Sequence, residues 1–343
     1  MQNPGRIAVV ILNWNGKNFL EKFLPVLLEN SSSEAEIIVA DNASTDDSFD
    51  FLQTRFPAVR IIRNDQNYGF AKGYNVALSQ VTAEYYVLLN SDIEVTPGWI
   101  HPVIDLMDSD NTIAACQPKI RSYSEPGKFE YAGAAGGFID KYGYPFCRGR
   151  MFQTLEEDHG QYDDVVEIFW ATGACIFIRA ELYHKYGGLD EDFFAHMEEI
   201  DFCWRLKNEG YKIVYCPLSV VYHIGGGTLP KISWRKTYLN FRNNCTLLFK
   251  NLPDNLLFEV FAKRLILDGI AAMKFLITAG FKDFFAVSKA HFSFYASLKK
   301  TRQKRHGLKH GPMKTFYRKN IVFEYYLRGK KKFSDLDPEK FVR

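Results

Sequence analysis

Four clusters of residues in this 343-residue chain combine reactive types with revealing positions. Asp41 closes the apolar run Glu36-Ile-Ile-Val-Ala40. A carboxylate exposed there accepts hydrogen bonds from N–H or hydroxyl groups, although Asp41-Asn-Ala-Ser-Thr-Asp46 is equally ordinary turn chemistry. Ser44, Thr45 and Asp46 read as caps of a following helix. Asn90-Ser91-Asp92 stops a second apolar run, Glu84–Leu89, and is also a good turn. Glu198-Glu199-Ile200-Asp201 opens a helical stretch over 197–209. Acids there are favoured by the helix dipole, but a carboxylate within reach of a hydroxyl is also a general base. Asp201 and Arg205, spaced i,i+4, read as a surface ion pair. His223 ends the apolar stretch Ser219-Val-Val-Tyr-His and precedes Ile224-Gly-Gly-Gly-Thr228. A lone histidine after a strand is usually a satisfied one.

These residues need a frame. Ile7–Leu12, Glu36–Ala40, Val59–Ile62 and Glu84–Leu89 are short continuous apolar runs of the kind buried in a parallel sheet. Amphipathic stretches such as Lys17–Glu29 separate them, which predicts an α/β layered fold with a mostly parallel sheet flanked by helices. In such sheets ligands sit beyond the carboxyl ends of the strands, where Asn13, Asp41 and Asn90–Asp92 fall. No Gly-x-Gly-x-x-Gly follows the first strand and no Walker A sequence occurs, which argues against a dinucleotide dehydrogenase or a P-loop NTPase. Residues 117–166 show no clear period and read as loops and hairpins over a cleft.

Taken in order, Val10-Ile-Leu-Asn-Trp-Asn-Gly16, Val39-Ala-Asp-Asn-Ala-Ser-Thr-Asp46, Asn67-Tyr-Gly-Phe-Ala-Lys-Gly-Tyr-Asn75 and Leu88-Leu-Asn-Ser-Asp92 resemble glycosyltransferase family 2, in its rhamnosyltransferase-like branch. Trp170-Ala-Thr-Gly-Ala-Cys175, Glu198-Glu-Ile-Asp201 and Val221-Tyr-His223 extend the resemblance to about residues 7–227. It implies a GT-A fold and an inverting transfer of a sugar from a nucleoside-diphosphate donor. By the same resemblance Asn13, Asp41, Asn75 and Asn90 contact the nucleotide. Asp92 and His223 hold a divalent cation, Mn2+ or Mg2+, against the diphosphate. Glu199 is the base, with Glu198 second, and Trp170 and Gly173 line the sugar and acceptor pocket. The glycines after His223 supply a loop to close over the diphosphate. A dTDP-linked rhamnose donor and a growing polysaccharide on a lipid carrier are the nearest expectation. A degenerate transferase-like scaffold and a sugar nucleotidyltransferase are the alternatives; the second wants a Gly-rich cationic loop that Asn13–Gly16 does not supply.

Composition is ordinary for a globular chain, 47% apolar and 24% charged, which excludes disordered and collagen-like classes. Six cysteines without a Cys-x-x-Cys pair or zinc spacing predict buried reduced thiols and a cytosolic location, and no signal-peptide pattern opens the chain. The net charge of +3 hides a division: residues 228–343 hold 25 of the 43 Lys and Arg but 8 of the 40 Asp and Glu. A boundary is therefore placed at 230, with a helical basic module from 231 that meets an anionic surface. Tyr238-Leu-Asn-Phe-Arg-Asn-Asn244 resembles an Arg-Asn helix that packs on the catalytic domain in many relatives. Residues 256–285 are strongly apolar but interrupted by Asp268 and Lys274, so they do not read as a bilayer span. With Lys299–Arg305 they predict attachment to the cytoplasmic face of an anionic membrane; a homodimer interface is the second expectation. No nucleic-acid recognition motif is present.

Overall fold

A computed structural model describes residues 5–225 and 233–342. The first half alternates β1 (Ile7–Asn13), α1 (Lys17–Ser31), β2 (Glu36–Asp41), α2 (Ser48–Arg55), β3 (Arg60–Arg63), α3 (Gly69–Leu78) and β4 (Tyr85–Leu89). Then come β5 (Ile93–Val95), α4 (His101–Ser109) and β6 (Ile113–Ser122). Four short strands follow, β7 (Gly137–Ile139), β8 (Pro145–Cys147), β9 (Arg150–Met151) and β10 (Thr154–Leu155), and pair into a small antiparallel sheet. The main unit closes with β11 (Val166–Ile168), β12 (Cys175–Arg179), α5 (Ala180–Lys185), α6 (Glu198–Asn208) and β13 (Lys212–His223). The C-terminal part contributes α7 (Trp234–Asn251), α8 (Asp254–Thr278), α9 (Phe281–His306) and α10 (Ile321–Tyr326).

The nine-stranded main sheet has the order β11-β13-β6-β12-β4-β1-β2-β3, with β5 paired to β13. Strands β1–β4, β6 and β13 run one way, while β5, β11 and β12 run against them. Its apolar runs are continuous because both faces are covered. Ile7, Val9 and Ile11 pack with Leu20, Leu24 and Leu27 of α1 and Val103 and Met107 of α4. Ala8 and Val10 point the other way, onto Tyr74 and Leu78 of α3 and Phe202 and Leu206 of α6. This is the period-two alternation of a strand between two helical layers.

Strand β6 was not foreseen, since residues from 117 onward read as loop. Gln117, Pro118 and Lys119 break its apolar pattern, yet all of 113–120 is buried. The fold satisfies those polar groups: Gln117 donates to the Gly133 carbonyl at 3.0 Å and accepts from Thr172 N–H at 2.9 Å, and Lys119 lies 2.9 Å from Asp158. A buried polar side chain is tolerable once partnered, and these partners come from elsewhere in the chain. The hairpins expected after it exist as β7–β10.

The helices after residue 233 share a core with the first half. Leu247, Leu248, Leu252, Tyr317 and Ile321 lie in one apolar cluster with Phe138, Phe146 and Tyr215. The expected boundary at 230 falls in 226–232, outside the described residues. Charge division across the chain is partly internal complementarity. Lys250 reaches Asp190 and Asp201 at 2.5 and 2.9 Å, and Lys300 reaches Asp192 at 2.5 Å. Much of the anionic surface that the basic segment meets is therefore its own first half. The Asp201–Arg205 pair, 2.9 Å apart, is buried rather than superficial, because α7 brings Lys250 and Asn251 over it. All six cysteines are free and buried. Among the described residues no helix is long and apolar enough to cross a membrane.

Candidate functional site

The carboxyl ends of β1, β2 and β4 lie side by side, with Asn13 in register with Asp41. Asn13 Nδ2 lies 3.4 Å from Asp41 Oδ1 and 3.2 Å from Ser44 Oγ. Ser44 N–H donates to Asp41 Oδ2 at 3.2 Å. Asp41 is fully buried, not exposed as the sequence reading had it. Residues 42–45 fold back over it: Asn15 Oδ1 accepts from Thr45 N–H at 2.7 Å, and Ser44 Oγ accepts from Asn15 N–H at 2.9 Å. Ser44 and Thr45 thus tie two strand ends together and do not cap α2, whose cap residue is Asp47. Asp46 accepts from Ser48 N–H at 3.0 Å. Asn13 Oδ1 is buried with no hydrogen-bond partner among the described residues, and a side chain at Gly16 would collide with it, an added Cβ falling 2.4 Å away. Trp14, beside it, is 42% exposed.

Asp92 and His223 meet because β5, which starts just after Asp92, pairs antiparallel with the end of β13, His223 opposite Ile93. His223 Nε2 is 3.1 Å from Asp92 Oδ1, and its Nδ1 is 3.0 Å from Glu130 Oε2. All three side chains are nearly closed from solvent. Burial opposes charge on His223, but its contacts with Asp92 and Glu130 outweigh that and raise its pKa to about 10. Burial likewise opposes ionisation of Asp92, and His223 overcomes it, holding the carboxyl below its usual range. A hard carboxylate beside an imidazole is a donor set suited to Mn2+. Glu130, 3.0 Å from the far ring nitrogen, is the charge partner a ligating histidine would keep there once an ion replaced the Nε2 proton. The fit is chemical, so Asp92 and His223 are the pair that would hold the cation. Glu130 escaped the sequence reading; it sits in an aperiodic loop and only the fold brings it to His223. Gly225, at φ +72°, is needed there, since an added Cβ would lie 2.5 Å from Glu130 Oε1. Gly226, Gly227 and Thr228 of the expected closing loop lie outside the described residues.

Glu198 and Glu199 open α6. Glu199 is partly exposed and Glu198 is buried, and the Oε2 of each is buried with no hydrogen-bond partner among the described residues. Burial pushes the Glu199 carboxyl up to about 7, against the pull of N–H groups at the helix start. Burial, then the neighbouring Glu199 charge, pushes Glu198 well above the carboxylate range. Gly173 faces this acid: an added Cβ would come 2.9 Å from the Phe70 ring and 4.0 Å from Glu199 Cβ. Its neighbour Ala174 accepts from Asn90 N–H at 2.9 Å, so the Asn90–Asp92 turn and Glu199 share one neighbourhood.

The loop before α6 is strained, with Phe194, His196 and Met197 at φ +65°, +70° and +74°, where non-glycine residues are uncommon. Helix α7 holds it. Asn243 Nδ2 donates to the carbonyls of Phe193, Ala195 and His196 at 3.0, 2.9 and 2.7 Å, and Arg242 to those of Asp192 and Phe193, both at 2.9 Å. The Arg-Asn helix expected to pack on the first half does so on the segment that aims Glu199.

Two expected site residues make bonds within the chain. Asn75 accepts from Tyr183 Oη at 2.6 Å and donates to the Leu189 carbonyl at 2.7 Å, pinning the 183–189 turn. Trp170 is buried in the core against Gly137, its indole N–H donating to the Phe138 carbonyl at 3.0 Å. It pairs with the edge of the second sheet through Gly137.

Residues 8–187 match the sequence profile of glycosyl transferase family 2. An N-acetylglucosaminyl-diphospho-decaprenol L-rhamnosyltransferase of Mycobacterium tuberculosis is 26% identical over 235 residues, covering 63% of this chain and 75% of the relative. The low-salt glycan biosynthesis hexosyltransferase Agl10 of Haloferax volcanii is 24% identical over 243 residues, covering 69% and 73%. Among solved structures, S. aureus TarS 1–349 in complex with UDP-GlcNAc superposes with a TM-score of 0.57 at 13% identity, covering 96% of this chain and 93% of that one. GalNAc-T7 with UDP, GalNAc and Mn2+ gives 0.58 at 14% identity, covering 96% and 57%. The shared architecture is the GT-A fold.

Proposed function

The chain belongs to glycosyl transferase family 2, and from that premise we propose that it moves a hexose from a nucleoside-diphosphate sugar to a hydroxyl of a saccharide or lipid-linked acceptor at the cytoplasmic face of a membrane. The observation that carries this reading is the Glu199 carboxylate, its Oε2 without a hydrogen-bond partner among the described residues, set beside Gly173 and the Asn90–Asp92 turn. Glu199 takes the proton of the acceptor hydroxyl as its oxygen attacks the anomeric carbon, on the face opposite the leaving diphosphate, and the anomer inverts. A pKa raised to about 7 matches a base working near neutrality. Asp92 and His223 would hold a divalent cation, which when bound neutralises charge on the leaving diphosphate. Asn13, with its free Oδ1, and the Asp41 carboxylate beneath the 42–45 loop frame the nucleoside. Relatives named as rhamnosyl- and hexosyltransferases make dTDP-rhamnose the first donor to try and UDP-hexoses the next.

The test is release of nucleoside diphosphate from each donor in the presence of a polyprenyl-diphosphate-linked sugar. Release in step with an inverted glycoside is expected for one donor. Silence with every donor, from a chain that still binds nucleotide, would point to a scaffold instead.

A further inference from the structure

Helix α8 is turned inside out. Its buried face carries Arg264 and Asp268, which pair at 3.0 Å, and Asp268 also meets His291 of α9 at 3.1 Å and the Tyr144 hydroxyl at 3.3 Å. Its outer face carries Phe258, Leu265, Ile266, Ile270, Met273 and Ile277, each more than half exposed. The spacing i, i+7, i+8, i+12, i+15 and i+19 places them along one side of the helix, with Ala262 and Gly269 filling the gaps. At 1.5 Å per residue the stripe runs for about 28 Å, and the charges on or beside it include Glu259 and its partner Lys263. A surface helix of a globular protein ordinarily shows the reverse distribution, and an apolar patch this long marks an interaction face.

Charges around the stripe say what covers it. On α9 the exposed Phe281, Phe285, Phe292 and Tyr295 alternate with exposed Lys282, Lys289 and Lys299. The one acid of α9, Asp283, is buried and bonded to Thr237. Beyond the first turn of α8, the single exposed acid of the two helices is Glu259, paired with Lys263. A second copy of this surface would set the lysines of α9 against one another, with Glu259, already engaged by Lys263, as the one exposed acid beyond the first turn of α8 to meet them. An anionic headgroup layer supplies the missing charge, and aromatic side chains among lysines suit its boundary with acyl chains.

We propose that the outer face of α8, with the adjoining face of α9, lies on an anionic lipid bilayer, its apolar side chains sunk below the headgroups. Of the anchor expected from residues 256–285 and 299–305, the cationic run is largely engaged within the chain. Lys300, Lys304 and Arg305 of that run pair with Asp192, Asp190 and Asp254 of the same chain, so the apolar stripe carries the attachment.

The test is flotation of the full chain with vesicles of phosphatidylcholine alone or mixed with phosphatidylglycerol. Wild type should float with the mixed vesicles and far less with phosphatidylcholine alone. Ile266→Glu/Ile270→Glu, at positions open to solvent, should keep the wild-type melting temperature and cut flotation by about tenfold or more. Absence of flotation, flotation indifferent to that double substitution, or a lipid-free dimer that the substitution splits would each overturn the proposal. Vesicle binding needs no donor or acceptor, so its failure is separate from failure of the transfer reaction.

Discussion

Glu199→Gln is expected to lower the transfer rate by about 10²- to 10⁴-fold, the usual worth of a positioned base, while leaving nucleotide binding unchanged. The amide keeps the size of the side chain and cannot take a proton. In wild type, transfer should fall as pH drops through about 7, because the carboxylate is then protonated; the residual activity of the variant should lack that limb. Stability moves oppositely. Burial raises the folded-state pKa from 4.5 to about 7, so the native state binds the proton more tightly and wild type loses stability as pH rises between those values. The glutamine variant escapes that loss. Rates by product chromatography from pH 5 to 9 and melting curves over the same range read both effects. Transfer within about threefold of wild type would remove Glu199 as the base.

The second large effect is on folding. Asp201 receives Arg205 Nε at 2.9 Å, Lys250 Nζ at 2.9 Å and Asn251 Nδ2 at 2.8 Å, and all four residues are buried. Burial alone would raise its carboxyl, but Lys250 and Arg205 hold it below the usual range. Asp201→Ala leaves buried Arg205 with carbonyl partners but no carboxylate and Lys250 with Asp190 alone, and breaking such a buried pair from one side costs about 3–5 kcal/mol. A fall in Tm on the order of 10 °C follows. Glu259→Ala, which removes the exposed partner of Lys263, should leave the melting temperature nearly unchanged. Equal effects of the two substitutions would contradict the role given to the buried cluster in joining α6 to α7. Because the Asp201 pKa is depressed, its contribution is present at neutral pH and is lost as pH falls through the folded-state value.

Elements with one repeating pattern were legible. The runs that became β1, β2 and β4 are apolar on both faces because helices cover both, and the amphipathic 17–29 stretch became α1. Motif order placed Asp92 and His223, which do meet. What failed were readings that needed an environment. Spacing i,i+4 made Asp201 and Arg205 neighbours but could not show α7 closing over them. Polar residues hid β6, since Gln117 and Lys119 find their partners only in the folded 128–172 region. Asn75 and Trp170 have the right types for a site, and only the fold shows their bonds to Leu189, Tyr183 and Phe138. Glu130 had no pattern at all. Its place beside His223 comes from the loop after β6 returning to the end of β13.

Donor binding is the claim on which the rest depends, and a thermal-shift panel of dTDP, UDP, GDP and CDP, each with Mn2+ or with EDTA, tests it most directly. A ligand that binds only the native state raises the melting temperature. The expected result is a rise with one or two of the nucleotides that needs Mn2+ and vanishes in Asp92→Ala. No rise with any nucleotide in the presence of Mn2+ would contradict a donor site at the ends of β1, β2 and β4.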